Sequence, residues 1–308
     1  MHAKKFSLIG YGAVFVALLV LLLVLAPHTI TAATNSATGS DITYQVKFGG
    51  QNRTYIVHIP PNYSASNKYP IMVVYHGNGG TGASIEKKTD FDTVADTNLL
   101  FVAYPYGING SWQPTGQNND VQFTQFMLQK IEGKYSIDTA RIYASGFSEG
   151  GGMTQYLVCA IGAQIAGFAD VSNNLNQDIL NNCTFRVPIT GLFFHGTADP
   201  ISFYNGGNYN GGTTLSANQT GQFWAAEDSC TASTTTPFPD VLNDGSNVTD
   251  LKDNWANCGS GLGVTFYTIT NGGHTWPGGI NNNPDDGLYS MDVIASSIIW
   301  QTLSPMHR

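Results

Sequence analysis

Charge is scarce in this chain. Only 11% of its residues are Asp, Glu, Lys or Arg, about half the usual share. Basic residues are the scarcer kind, 13 against 21 acidic ones, for a net charge of −8. No Lys/Arg cluster occurs beyond the first five residues, which excludes nucleic acid as a partner, because a phosphate backbone needs a basic face. There is no CxxC and no HExxH, hence no zinc spacing. There is no G-x-x-x-x-G-K and no acidic ligand cluster, so phosphate, nucleotide and metal chemistry find no support. Neither a metal nor a cofactor is expected. The chain also lacks an internal repeat, a Pro/Ser-rich linker and a second composition regime. Residues 34–308 therefore read as one domain, acting as a monomer.

One long apolar run is present, at the N-terminus. Lys4 and Lys5 precede an uncharged stretch from Phe6 to Ala26, and Thr31-Ala32-Ala33 supplies small residues for a cleavage site. Residues 1–33 read as a signal peptide. The run is long enough to make an uncleaved single-span membrane anchor the alternative. Both readings put residues 34–308 outside the cytoplasm, as a secreted, extracellular domain or one anchored at its N-terminus. A surface rich in Gly, Asn, Thr and Ser suits that setting. Cys159, Cys183, Cys230 and Cys258 all lie beyond the leader, and an even count in an exported chain favours two disulfides. Pairing in chain order would close loops of about 24 and 28 residues, each stabilising by roughly 3 kcal/mol. Composition leaves all three connectivities open.

Beyond the leader the pattern opens as a hairpin. Ile42, Tyr44, Val46 and Phe48 alternate with polar residues, Gly49-Gly50-Gln51-Asn52 turns the chain, and Tyr55, Val57 and Ile59 alternate again. Short apolar runs follow at Ile71–Tyr75, Leu99–Ala103, Ile142–Ala144, Ile189–Phe194 and Val264–Ile269. These read as buried strands. Between the second and third, Asp120 is expected to cap a helix with Phe123, Phe126, Met127 and Ile131 on one face. Such alternation predicts an α/β fold, a mostly parallel twisted sheet with helices on both faces. Phe203–Thr214 and Cys230–Gly245 read as long surface loops. Ligands of such sheets sit outside the carboxyl ends of the strands.

Gly146-Phe147-Ser148-Glu149-Gly150 matches G-x-S-x-G. The match is weak alone, but a strand runs into it and a helix pattern leaves it. A serine hydroxyl needs a base to act as nucleophile. His2 and His28 lie in the leader, His307 in the tail and His58 inside a strand. His76 and His195 each precede Gly after a strand and read as buried imidazoles bonded to backbone. His274 remains, just past the last apolar strand. Asp199, after Ile189–Phe194, is the carboxylate best placed to orient it; Asp170 and Asp178 do not clearly end a strand. The order Ser148, Asp199, His274 is that of α/β-hydrolases. For an oxyanion hole, the donors expected are the N–H groups of Glu149 and Asn78, with Gly77 as the alternative to Asn78. Trp112 and Trp276 lie in strand-end loops, where they would stack on an aromatic acyl group or a sugar, unless both are packing residues.

The stretches YHGNGG, VAYPYGINGSWQ, DVQFTQFML, YASGFSEGGGMTQYLVC, FFHGTADP and GGHTWPGG resemble the feruloyl esterase and polyhydroxybutyrate depolymerase group of α/β-hydrolases, a carbohydrate-esterase lineage. The likeness runs from about Ile42 to Trp300. It implies Ser148, Asp199 and His274 as a catalytic triad, and Cys159–Cys183 and Cys230–Cys258 as disulfides. It further implies a serine esterase acting on feruloyl or related hydroxycinnamoyl esters of plant cell-wall polysaccharide, with a polyester depolymerase or an acetylxylan esterase as alternatives. The chain departs from the group's pattern at Glu149, directly after the nucleophile. A reading of another class, a secreted non-catalytic carbohydrate-binding protein, uses the same fold. A p-nitrophenyl acetate assay separates the two.

Overall fold

The computed structural model describes residues 38–183, 187–209, 212–239, 249–281 and 283–308. The leader at 1–33 lies outside these. Strands β1 (Ser40–Phe48) and β2 (Gln51–Ile59) form the expected hairpin around Gly49-Gly50. Strand β3 (Tyr69–Tyr75) is followed by helices α1 (Gly82–Thr89) and α2 (Phe91–Asn98) and strand β4 (Phe101–Pro105). Helix α3 (Asp120–Glu132), strand β5 (Ile137–Phe147), helix α4 (Glu149–Ile161), strand β6 (Gly167–Val171) and helix α5 (Gln177–Asn182) come next. After strand β7 (Thr190–Gly196), a small ribbon of β8 (Gly207–Tyr209) and β9 (Gly212–Thr214) leads into helix α6 (Ala217–Glu227). Strands β10 (Ala232–Pro237), β11 (Thr249–Ala256) and β12 (Val264–Thr270) and helix α7 (Ala295–Leu303) complete the described elements.

Among the described residues the main sheet runs β1-β2-β4-β3-β5-β6-β7-β12-β11-β10. Its centre, from β4 to β12, is parallel, and a pair of antiparallel strands closes each edge. Central strands are buried on both faces, which is why they read as unbroken apolar runs. Along β3, Ile71, Val73 and Tyr75 join a core with residues of α3, α4 and α6, while Met72 and Val74 join another with residues of α1, α2 and α7. Helices therefore cover both faces, as the alternation required. Cys159 in α4 is bonded to Cys183 after α5, and Cys230 after α6 to Cys258 after β11, with Cα separations of 4.8 and 3.8 Å. No helix among the described residues is long and apolar enough to cross a membrane.

The structure corrects four local expectations. Asn119, not Asp120, caps α3, its side chain accepting from the Gln122 N–H. Asp120 is buried and paired with Arg53 instead. Strand β6 went unseen because Gly167 and a buried Asp170 interrupt its apolar signal. The segment from Cys230 carries edge strand β10, and Phe203–Thr214 contains the β8–β9 ribbon.

Candidate active site

Ser148 occupies the single step between β5 and α4, with φ 56° and ψ −124°. A non-glycine residue there is strained and persists only when its surroundings fix it. They do so here: the Ser148 N–H donates to Val171 O at 2.8 Å, and its carbonyl accepts from the Gly151 N–H at 2.8 Å. A side chain at Gly150 would collide with the carbonyl oxygens of Tyr75 and His76. Gly77 approaches from the loop after β3; a Cβ there would lie 3.1 Å from Ser148 Cβ. The strand-to-helix corner thus sets the serine at the carboxyl ends of β3, β5 and β6.

Asp199 and His274 meet each other, with the His274 ring against Phe147, the residue before Ser148. Asp199 leaves the end of β7, and its Oδ1 accepts from the Ile201 and Ser202 N–H groups at 2.8 Å each. Its Oδ2 accepts from His274 Nδ1 at 2.8 Å. Burial would raise this carboxyl, but hydrogen bonds from His195 and His274 outweigh it and hold the group well below the usual carboxylate value. His274 is buried, and its ring lies 4.8 Å from that of Phe147, the neighbour of Ser148. Ser172 Oγ, one residue past the partner of the Ser148 amide, donates to Thr275 O at 3.0 Å and binds the histidine loop to the same corner. Among the described residues no hydrogen bond joins Ser148 Oγ to His274, a contact that in unliganded sites of this type often tightens only when substrate binds.

The other histidines after strands do bond to backbone. His76 Nδ1 is 2.7 Å from Gly77 O, and its Nε2 accepts from the Gly107 N–H at 2.9 Å, an arrangement that requires neutral imidazole. Burial, opposed by the Gly77 bond, lowers its pKa accordingly. His195 Nε2 is 2.7 Å from Ser202 O, yet also 3.4 Å from Asp199 Oδ2. Sequence reading missed that second contact, although the four-residue spacing in His195-Gly-Thr-Ala-Asp199 could have suggested it. Asp170 lies in β6 under α4, where burial pushes its pKa up against hydrogen bonds from Asn173 and Gln155.

On the oxyanion side, the N–H groups of Asn78 and Glu149 donate to no protein acceptor among the described residues. Glu149 turns its side chain toward the loop after β4: Oε1 accepts from Ser111 Oγ at 2.5 Å and from the Trp112 N–H at 3.4 Å.

Both tryptophans are corrected as ligand platforms. Trp276 has 0% of its surface exposed, and its indole N–H donates to Ser296 Oγ at 3.0 Å. Trp112, 6% exposed, donates to His76 O at 2.7 Å and packs on Tyr75 and His76. A buried indole needs a partner for its N–H, and finding one turned each ring inward. Exposed apolar side chains near the site come from elsewhere. Leu288 adjoins the histidine loop through the Gly273 N–H to Leu288 O bond, with Tyr289 beside it.

No protein-family model matches the chain. It is 30% identical over 239 residues to feruloyl esterase B of Piromyces equi, which covers 72% of this chain and 42% of that protein. It is 30% identical over 188 residues to "Probable feruloyl esterase C" of Aspergillus terreus, covering 58% of this chain and 67% of that one. The chain thus spans less than half the length of the Piromyces protein. Among solved structures, it resembles the acetyl xylan esterase from Aspergillus awamori with a TM-score of 0.57 at 18% identity, over 76% of this chain and 94% of the other. That likeness shows an α/β-hydrolase fold.

Proposed function

From the premise that the chain belongs to the feruloyl esterase family of carboxylic ester hydrolases, we propose that it hydrolyses feruloyl or related hydroxycinnamoyl esters of plant cell-wall polysaccharide at Ser148. Ser148 Oγ attacks the ester carbonyl carbon while its proton passes to His274 Nε2. The oxyanion is met by the N–H groups of Glu149 and Asn78, with Gly77 keeping the wall close. His274 returns the proton to the departing alkoxide as the acyl-enzyme forms. Water then attacks the acyl carbon and gives a proton to His274, which passes it to Ser148 Oγ as the acyl–Oγ bond breaks and the acid leaves. Asp199 holds the His274 tautomer and stabilises the imidazolium in each half. The observation that carries this reading is the buried Asp199–His274 bond of 2.8 Å at the strand ends beside the strained Ser148. Residues 34–308 are taken as the catalytic domain and residues 1–33 as the leader that exports it.

An acetyl ester is the second reading. It is favoured by the burial of Trp112 and Trp276, which removes the stacking surface that singled out an aromatic acyl group. The test is to compare release from p-nitrophenyl acetate, methyl ferulate and acetylated xylan. Turnover of methyl ferulate with the highest kcat/KM is the expected outcome. Acetate release from xylan without ferulate release would replace the substrate, and no turnover of any ester would leave a non-catalytic binding protein.

A further inference from the structure

Glu149 offers the oxyanion reading a backbone N–H, but its side chain has partners of its own. The loop after β4 and the loop after β3 are laced together at four points. Gly79 N–H donates to Gly110 O at 2.7 Å, Gly107 N–H to His76 Nε2 at 2.9 Å, and Trp112 Nε1 to His76 O at 2.7 Å. The rings of His76 and Trp112 add a contact at 4.5 Å between centroids. The 107–112 loop therefore helps to hold Gly77 and Asn78, together with the contacts of Gly77 O to His76 Nδ1 at 2.7 Å and to the Gly80 N–H at 3.0 Å. That loop is fastened to the nucleophile's helix by Glu149 Oε1, through Ser111 Oγ at 2.5 Å and the Trp112 N–H. The other carboxylate oxygen, Oε2, is buried with no hydrogen-bond partner among the described residues. Desolvating a carboxylate oxygen is costly, so the hydrogen bonds of Oε1, not solvation of Oε2, hold this side chain in place.

We infer that Glu149 is a positioning residue, whose side chain sets the distance between the two oxyanion donors by tying Ser111 and Trp112, and through them His76–Asn78, to the first turn of α4. This rests on the esterase reading above. An acidic side chain is also at home in the first turn of a helix, where the backbone dipole favours it. A donor displaced by about an ångström costs up to about a hundredfold in rate. The loss belongs to the chemical step, because the oxyanion exists only after attack.

The test uses Glu149→Ala, Glu149→Gln and Ser111→Ala in the full chain, with kcat and KM on p-nitrophenyl acetate and amide hydrogen exchange over residues 76–80 and 107–112. Glu149→Ala is expected to lower kcat by roughly 10–100-fold with KM changed by less than about threefold. Exchange at Gly79 is expected to quicken in the same variant. Glu149→Gln keeps an acceptor for Ser111 and Trp112 and is expected to recover most of kcat. Ser111→Ala is expected to lose part of kcat, and it carries the test alone if Glu149→Ala does not fold. Wild-type kcat in both Glu149→Ala and Ser111→Ala would overturn the inference. So would equal losses in Glu149→Ala and Glu149→Gln, which would assign the effect to charge. Exchange is read without any turnover. An inactive wild type therefore removes the esterase reading, while unchanged exchange in an active Glu149→Ala removes only this one.

Discussion

Among the described residues three buried histidines face aspartates, and two of them, His58 and His274, differ most in what is left over. His58, on β2, presents Nδ1 to Asp41 at 2.7 Å and to Asp92 at 3.4 Å, and Nε2 to Asp96 at 3.0 Å. Asp41 comes from β1, Asp92 and Asp96 from α2; Tyr104 of β4 donates to Asp92, and Glu86 of α1 lies in the same electrostatic neighbourhood. Both ring nitrogens meet carboxylates, an arrangement that favours the doubly protonated ring, clamped between two edge strands and a helix. His274 presents Nδ1 alone to a single aspartate, and its Nε2 makes no hydrogen bond among the described residues. A histidine whose second nitrogen is spare can accept a proton; one engaged on both sides cannot. The two sites share residue types, and only one lies at the strand ends beside a strained serine.

Mutation should separate them most widely in rate. Ser148→Ala and His274→Ala are each expected to lower kcat by about 10⁴–10⁶ on p-nitrophenyl acetate, without further loss in the double variant, and Asp199→Asn by about 10²–10⁴. His58→Gln is expected to leave kcat within about threefold and to lower Tm instead.

Reduction of the disulfides acts on stability at neither histidine. Each closed loop is worth roughly 3 kcal/mol, so cutting Cys159–Cys183 or Cys230–Cys258 is expected to lower Tm by roughly 5–10 °C. Calorimetry on Cys→Ser pairs, with kcat measured well below Tm, checks that chemistry in the folded fraction is unchanged.

The smallest effect is in pH. Burial pulls the His58 pKa down, but Asp92, Asp41 and Asp96 outweigh it and the net shift is upward. A raised histidine stabilises fully below its unfolded value and loses that contribution as pH climbs through the folded one. Glu86 works in the same direction. Burial, with Asp92 and Asp41, raises its pKa to about 7 against the pull of His58, so its ionisation destabilises the fold as pH rises toward that value. Tm is therefore expected to fall from about pH 4.5 to about pH 7 through Glu86 and on above about pH 6.5 through the raised His58, and His58→Gln to flatten the upper part of that fall. An unchanged slope in the variant would mean the clamp does not titrate.

The same contrast explains what could be read in advance. The central strands β3, β5, β7 and β12 were legible because burial on both faces demands continuous apolar residues. Edge strands β10 and β11 are rich in Thr, Asp, Asn and Lys, and that polarity made the β10 segment read as loop. Ser148, Asp199 and His274 drew the eye by their places after strands, and the topology does bring Asp199 and His274 together. Trp112 and Trp276 could not be judged that way. Their fate depended on where an indole N–H found an acceptor, His76 O and Ser296 Oγ, and those partners are far away in sequence. His58 read as a mere strand residue because its three aspartates converge from two other elements. Asp120 read as a cap because its partner, Arg53, lies on a distant strand.

Covalent labelling tests the central claim most directly. A fluorophosphonate reacts with a serine activated by a neighbouring base, and peptide mapping reports which serine carries it. The account predicts one label per chain, on Ser148, lost in Ser148→Ala, slowed at least about a hundredfold in His274→Ala and unaffected in His58→Gln. An esterase-active protein labelled at another serine, or labelled at Ser148 as fast in His274→Ala as in the wild type, would contradict it.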